Sequence, residues 1–217
     1  SGRWATIVAP QVGFLNCIEP SAAIEVAKHN LKKSNNVKFF AETTDNCSIK
    51  PGSQDFGYCL GVLHHIPDTR AALMDCTRLL KPNAVFLLYL YYNFENKPLW
   101  FKALWKASDY LRRLVSRLPR FPKKIVCELI ALLVYLPLCR ASKILELIGI
   151  NVANIPLADY RKKPFYQMRN DALDRFGTRL EKRFSRKDIE DMLDEAGMDR
   201  IIFSNSTPYW CCISYKR

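Results

Sequence analysis

The chain has 217 residues, 49% of them hydrophobic and 25% charged, with a formal net charge of +12. Such a composition excludes a disordered or collagen-like chain, and the length suffices for one buried core carrying an insertion. The charge is uneven: residues 1–96 hold nine Lys/Arg against eight Asp/Glu, so nearly all of the excess lies beyond them, and in 97–124 nine basic residues face Asp109 alone.

A short helix is expected over 3–11, after a glycine turn in Ser1-Gly2-Arg3-Trp4. Phe14 to Ile18 reads as a strand closed by Glu19-Pro20-Ser21, and 21–33 as a helix with Ser21 as N-cap. Val37 to Ala41 is a second strand, and Pro51-Gly52-Ser53 a turn. Asp55 to Leu60 is a third strand, apolar enough to be buried on both faces. Thr69 to Leu80 is a helix stopped by Lys81-Pro82-Asn83, and Val85 to Tyr92 a fourth strand. This alternation predicts βαβ units in a doubly wound, mostly parallel sheet.

After Phe94 the rhythm changes. An amphipathic helix is expected over 98–118, with Trp100, Phe101, Leu104, Trp105, Leu111, Leu114, Val115 and Leu118 on its apolar side, ended by Pro119 and Pro122. Helices over 123–136 and 140–148 follow, then irregular chain over 156–180. The apolar run Ile125 to Leu138 is shorter than the roughly 20 residues a membrane span needs and contains Glu128. A helix from Ser185 to Ala196, stopped by Gly197, leads to strands Ile201–Ser204 and Tyr209–Tyr215 as an antiparallel hairpin. The domain division expected is a core of 1–94 with 184–217 and a helical insertion of 95–183. None of the eight cysteines forms a C-x-x-C pair. Together with the lack of a signal-peptide pattern, this predicts reduced core thiols, a cytoplasmic setting and no metal site.

Ligands of such sheets bind at the carboxyl ends of the strands. Glu19 ends the first strand, where a carboxylate suits the vicinal hydroxyls of a ribose but also suits plain solvation. Thr43, Thr44 and Asp45 follow the second strand and read equally as an adenine edge or a plain turn. Leu60-Gly61 and His64-His65 follow the third. Adjacent histidines point in different directions and make a poor metal pair.

Together Gly2-Arg3-Trp4, Cys17-Ile18-Glu19-Pro20-Ser21, Ser53-Gln54-Asp55-Phe56, Leu60-Gly61-Val62-Leu63-His64-His65, Leu79-Leu80-Lys81-Pro82-Asn83 and the segment Phe184-Ser185-Arg186 through Glu195-Ala196-Gly197 form an ordered pattern. It resembles the class I S-adenosylmethionine-dependent methyltransferases of the ubiquinone and menaquinone group (methyltransferase type 11), over about 1–94 and 184–215. The resemblance implies a Rossmann-like fold, S-adenosylmethionine as cofactor, and an N-terminal truncation that leaves the family's first, central strand absent. It assigns Gly2 and Arg3 to the glycine-rich loop, Glu19 to the ribose, and Pro20, Ser21, Thr43 and Thr44 to the adenine. Leu60, Gly61 and His65 it places beside the methionine part.

Methyl transfer needs alignment and, for a hydroxyl or carbon acceptor, a base. His64, His65, Tyr91 and Tyr92 are the candidates, with packing the alternative for both tyrosines. Tyr160, Arg161, Tyr166, Arg169, Asp174 and Arg175 are candidates for an acceptor pocket or, equally, for an ion-pair network holding the insertion. The basic amphipathic helix fits either an ordinary cap or an anionic membrane surface, which suits a lipid-linked as well as a small-molecule acceptor. No nucleic-acid-binding module is visible. The alternatives weighed are a catalytically inactive scaffold of the same fold and a dinucleotide-dependent oxidoreductase.

Overall fold

The computed structural model describes residues 2–152, 155–206 and 209–217; Ser1, the first residue of the predicted glycine turn, lies outside them. The chain divides into two compact units, one of residues up to Tyr91 with Arg186–Arg217, the other Tyr92–Ser185.

The first unit opens with α1 (Arg3–Val8), entered through Gly2 at φ 71°. A Cβ on Gly2 would lie 3.0 Å from Ala27, so glycine is needed both for the left-handed turn and for the close approach of α2 (Ala23–Asn30). Parallel strands β1 (Leu15–Ile18) and β2 (Val37–Phe40) flank α2 and form a two-stranded sheet. One face of it packs on α1 through Ala5, Ala9, Leu15 and Leu31. Strands β3 (Gln54–Leu60) and β4 (Leu80–Tyr89) are parallel and joined through α3 (Thr69–Arg78). Next, α8 (Arg186–Glu195) leads through Gly197 at φ 73° into β5 (Met198–Phe203), which pairs antiparallel with β6 (Cys211–Lys216). Because β6 also pairs antiparallel with β4, the second sheet has the order β3-β4-β6-β5.

The α/β architecture and its closing antiparallel hairpin match the expectation, but the strands form two sheets rather than one. Among the described residues no strand lies between β1 and β3, and each is an edge strand. Side chains link them: the Asn16 amide donates to the Gln54 side-chain oxygen at 2.8 Å, and Tyr58 packs on the cluster of Leu15 and Cys17.

Several boundaries differ from the sequence reading. β3 is not buried on both faces: Asp55 and Phe56 are exposed and the rest half-buried, because a strand covers it on one side only. β4 starts at Leu80, and Lys81-Pro82-Asn83 is an exposed bulge within it, where the partner register jumps from Leu80 to Val85. A proline missing its N–H is tolerated at such a bulge. The buried strand is β4, with Phe86 and Leu88 at 2% exposure or less. The helix expected from 21 starts at Ala23 with Ala22 as its cap residue, and Ser21 contributes from one place earlier by accepting the Ala23 N–H at 3.2 Å.

In the second unit α4 (Leu99–Val115) buries only part of the expected apolar face: Val115 is buried and Phe101, Trp105 and Leu118 are half-buried. Asp109 and Arg112 are buried, while Trp100, Leu104, Leu111 and Leu114 are exposed. The cause is a polar interior. Arg112 donates to Asp109 at 2.7 Å and to the carbonyls of Thr178 and Arg179 at 2.8 and 3.0 Å, so burying the pair satisfies four polar groups. Burial alone would raise the Asp109 carboxyl, but its hydrogen bonds to Arg112 and Arg113 more than offset this and hold it below the usual range.

The two helices expected over 123–136 and 140–148 are one continuous helix. α5 (Arg120–Ile130) runs through a π turn (Ala131–Tyr135) into α6 (Leu136–Leu147). Cys127, Ala131, Tyr135 and Cys139 are all buried at intervals of four. An ordinary α-helix would drift about 40° per four residues, and the wider π turn absorbs that drift. Pro137 sits just after it, inside the continuous helix, where it removes one backbone hydrogen bond. The segment expected to be irregular contains α7 (Phe165–Gly177), whose Met168, Ala172 and Phe176 pack on that buried face.

Leu88→Ala is expected to cost about 2–5 kcal/mol in chemical denaturation, the usual range for emptying a fully buried leucine site. Asp109→Ala, which strands Arg112, is expected to cost about 3–5 kcal/mol. Because the folded Asp109 carboxyl is depressed, its contribution is present above the unfolded value of about 3.9 and lost as pH falls through the folded one. Acid unfolding followed by circular dichroism should therefore lose this component in the Asp109→Ala protein.

Candidate cofactor site

Glu19 and Gly61 each follow directly on the carboxyl end of a strand, β1 and β3 respectively. The half-buried Glu19 is held from both sides. Its backbone N–H donates to the Phe40 carbonyl at 3.0 Å, and its Oε1 accepts the Ser21 N–H at 3.0 Å. The turn Glu19-Pro20-Ser21 thus fixes the carboxylate through one oxygen. Among the described residues no partner is recorded for Oε2. A fixed carboxylate with acceptor capacity in hand suits two adjacent hydroxyl donors.

Gly61 ends β3 at φ 76°, a left-handed conformation that glycine adopts without strain. Its N–H donates to the Tyr89 carbonyl at 3.1 Å, and a Cβ there would reach no atom closer than Tyr89 Cδ1 at 3.8 Å. The following segment is locked to α3. The Thr69 hydroxyl donates to the Leu63 carbonyl at 3.0 Å, and Asp68 caps the helix by accepting the Ala71 N–H at 2.9 Å.

The two histidines, expected to point in different directions, sit in a 3-10 turn with their rings together. His64 is completely buried and stacks on Tyr91 at 3.7 Å, so it is a packing group and not an acceptor base. His65 remains half-buried, 4.2 Å from the His64 ring and 5.8 Å from Tyr91. Tyr91 lies two residues beyond β4. Tyr92 belongs to the second unit, against Phe94 at 4.8 Å, and is not part of this cluster.

Thr43 and Thr44 are not presented freely. Arg78, the last residue of α3, donates to the carbonyls of Thr44 and Asp45 at 3.3 and 3.4 Å, which fastens this turn to the C-terminal end of α3. Arg3 is exposed and lies over the Trp4 ring, while Gly2 is accounted for by packing on Ala27. An open cavity of about 530 Å³ lies over β1 and β2, lined by Asn16, Lys38, Phe40 and Glu42 among others, and none of the sequence-predicted residues borders it. Sequence reasoning missed one pair near the end of β3: the Cys59 thiol is pushed up by its hydrogen bond with Cys76 of α3 and by burial.

In the second unit, four of the six candidate acceptor residues are occupied in its own framework. Arg161 makes a two-pronged pair with Glu146, both contacts at 2.7 Å. Arg169 pairs with Glu128. Arg175 donates to Ser108 at 2.9 Å and lies 3.5 Å from the buried Glu181, which Arg183 also holds at 2.7 Å. Tyr160 donates to Asp171 at 2.9 Å. These contacts form the ion-pair network weighed as the alternative. Tyr166 and Asp174 are exposed.

Residues 1–88 match the protein family described as a methyltransferase domain. Over these residues the chain is similar to the class I S-adenosylmethionine-dependent methyltransferases. It is 30% identical over 125 residues to the ubiquinone biosynthesis O-methyltransferase of Escherichia coli O7:K1, covering 56% of this chain and 48% of that protein. The same protein of Salmonella enteritidis PT4 is 30% identical over 125 residues, covering 56% and 47%. The chain thus spans about half the length of these curated relatives. The fold is similar to that of a SAM-dependent methyltransferase from Methanosarcina mazei, with a TM-score of 0.51 and 16% identity over 98% of this chain and 86% of that one. S-adenosylmethionine is the cofactor of this methyltransferase family, and the chemistry of the Glu19 carboxylate at the edge of β1 fits its ribose hydroxyls.

Gly61→Ala is expected to destabilise the first unit by about 1–2 kcal/mol, the cost of a left-handed residue with a Cβ. Thermal unfolding of the variant checks it.

Proposed function

We propose that this chain contributes the nucleoside-binding core of an enzyme that transfers a methyl group from S-adenosylmethionine to a small-molecule or lipid-linked acceptor. The observation that carries this reading is Glu19, fixed through one carboxylate oxygen at the carboxyl edge of β1 with the other oxygen left for hydroxyl donors. When bound, S-adenosylmethionine supplies a methyl group activated on a sulfonium, ready for in-line displacement.

The residues have correspondingly simple tasks. Glu19 accepts from both ribose hydroxyls and sets the nucleoside's orientation. Pro20 and Ser21 border the base, and Leu60 and Gly61 flank the methionine part where β3 ends. An acceptor hydroxyl must lose its proton. His65 suits this role in the His64–His65–Tyr91 cluster, because it is half-buried where His64 is fully enclosed. His64 lies 4.2 Å from that ring and itself stacks on Tyr91, which meets the His65 ring edge-on at 5.8 Å. In the second unit Tyr166 and Asp174 are the candidate residues left exposed to an acceptor.

The names of the curated relatives, with their ubiquinone biosynthesis O-methyltransferases, favour an oxygen nucleophile on a quinone-like, lipid-linked acceptor. The free cysteines among the described residues support a reducing, cytoplasmic setting. An inactive scaffold has no need of a fixed ribose-facing carboxylate.

Calorimetric titration with S-adenosylhomocysteine is expected to show micromolar binding, weakened at least tenfold in the Glu19→Ala variant by loss of charge-assisted hydrogen bonds. Binding of NADH in its place would favour the oxidoreductase. No binding of either by folded protein would leave the scaffold.

A further inference from the structure

The second unit buries an apolar cluster beside ion pairs and leaves many apolar side chains outside. Of the 28 large apolar residues exposed among the described residues, 20 belong to Tyr92–Ser185. The densest run follows the continuous helix Arg120–Leu147, whose most apolar window has a mean hydropathy of 1.8 with only 28% of it buried. One face, Cys127, Ala131, Tyr135 and Cys139, is used against α7. Away from it stand Phe121, Ile125, Leu129, Leu133, Ile144 and Leu147, exposed by 44–78%. An apolar stripe of that length with no cover is rare on a soluble monomer.

The charge around the stripe identifies its cover. Residues 92–185 hold nineteen Lys/Arg against eight Asp/Glu. Arg120, Lys124, Arg140 and Lys143 are exposed on the same helix. A second copy would bring two strongly cationic surfaces together, whereas a bilayer with anionic headgroups supplies both hydrocarbon and the opposite charge.

Length and composition alone would let this helix cross a membrane. Its packing argues for another placement. The buried face is joined to α7, which carries Arg169, Asn170, Asp171, Asp174 and Arg175, and Arg169 pairs with Glu128 on the helix itself. A spanning helix would draw that polar partner into hydrocarbon. We infer that the outward face of Arg120–Leu147 docks in the plane of an anionic phospholipid surface, with its leucines and isoleucines in the acyl boundary and its Lys/Arg at the headgroups. The surface expected from sequence was the earlier helix, α4; the geometry assigns it to the longer one. The inference stands on the second unit and does not rest on the methyltransferase reading.

The test is flotation of the full 217-residue chain with vesicles of phosphatidylcholine alone or mixed with phosphatidylglycerol. Binding is expected to the mixed vesicles and to weaken as salt is raised. Leu129→Ser with Leu133→Ser, both exposed and so compatible with an unchanged fold by circular dichroism, should lower partitioning at least tenfold. Lys124→Glu with Lys143→Glu should abolish the preference for the anionic vesicles. The inference is overturned by failure of the unaltered chain to float with mixed vesicles, or by equal binding of both variants. It is also overturned by vesicle binding that withstands high salt and alkaline extraction, which identifies a span, or by a dimer that the serine pair dissociates while vesicle binding is absent, which identifies a second copy as the cover. Titration with S-adenosylhomocysteine in lipid-free buffer keeps this result separate from the cofactor reading.

Discussion

Two facing strand edges govern the first unit. Side chains touch across β1 and β3, and no backbone ladder joins the two strands among the described residues. Backbone N–H and C=O groups cannot be left unsatisfied without cost, and an open strand edge is a template for another strand. What holds the two sheets together is side-chain packing: Asn16 on Gln54, and Tyr58 wedged on Leu15 and Cys17. Burial there pushes the Tyr58 phenol up to about 12. The relative placement of Glu19 and Gly61, which end these two strands, depends on this side-chain contact. The stability of the unit comes from elsewhere, from β4 with ladders on both sides and leucines of α3 and α8 against it.

The second unit solves a different problem. Its interior holds Asp109 with Arg112, and Glu181 with Arg175 and Arg183, beside a thin apolar layer of Cys127, Ala131, Met168 and Ala172. Buried ion pairs of this kind contribute little net stability but penalise strongly any arrangement that leaves one partner alone. They therefore specify how α4 and the segment after α7 fit together. Apolar side chains displaced from that interior are left outside, on α4 and along Arg120–Leu147. The same arrangement explains why residues chosen as acceptor ligands became framework: arginines between aromatic rings are as useful for holding a polar interior as for holding a substrate.

Much of the site was legible because strand ends announce themselves. Glu19-Pro20-Ser21 and Gly61 each interrupt an apolar run with residues that terminate pairing or need a left-handed backbone, and both stand at strand ends in the structure. Which of two adjacent histidines packs and which stays accessible was not legible, since that depends on the stacking of Tyr91, a residue from another strand's end. The fastening of Thr44 and Asp45 by Arg78 was equally hidden, because the partners are more than thirty residues apart.

By itself the sequence determined the alternation of strands and helices in the first unit, the hairpin that closes it, the methyltransferase family and the concentration of charge in the second half. Those follow from local periodicity, turn chemistry and motif order, which need no partner. Only the tertiary structure decided that the strands form two sheets, that Pro82 lies in a bulge of β4, and that one helix runs unbroken from Arg120 to Leu147. It also decided that α4 buries Asp109 and Arg112 and exposes its leucines. Each of these is set by what lies opposite a residue: a bulge by its partner strand, a π turn by the face that must stay in register with α7, and the buried pair of α4 by carbonyls of Thr178 and Arg179 that its arginine satisfies.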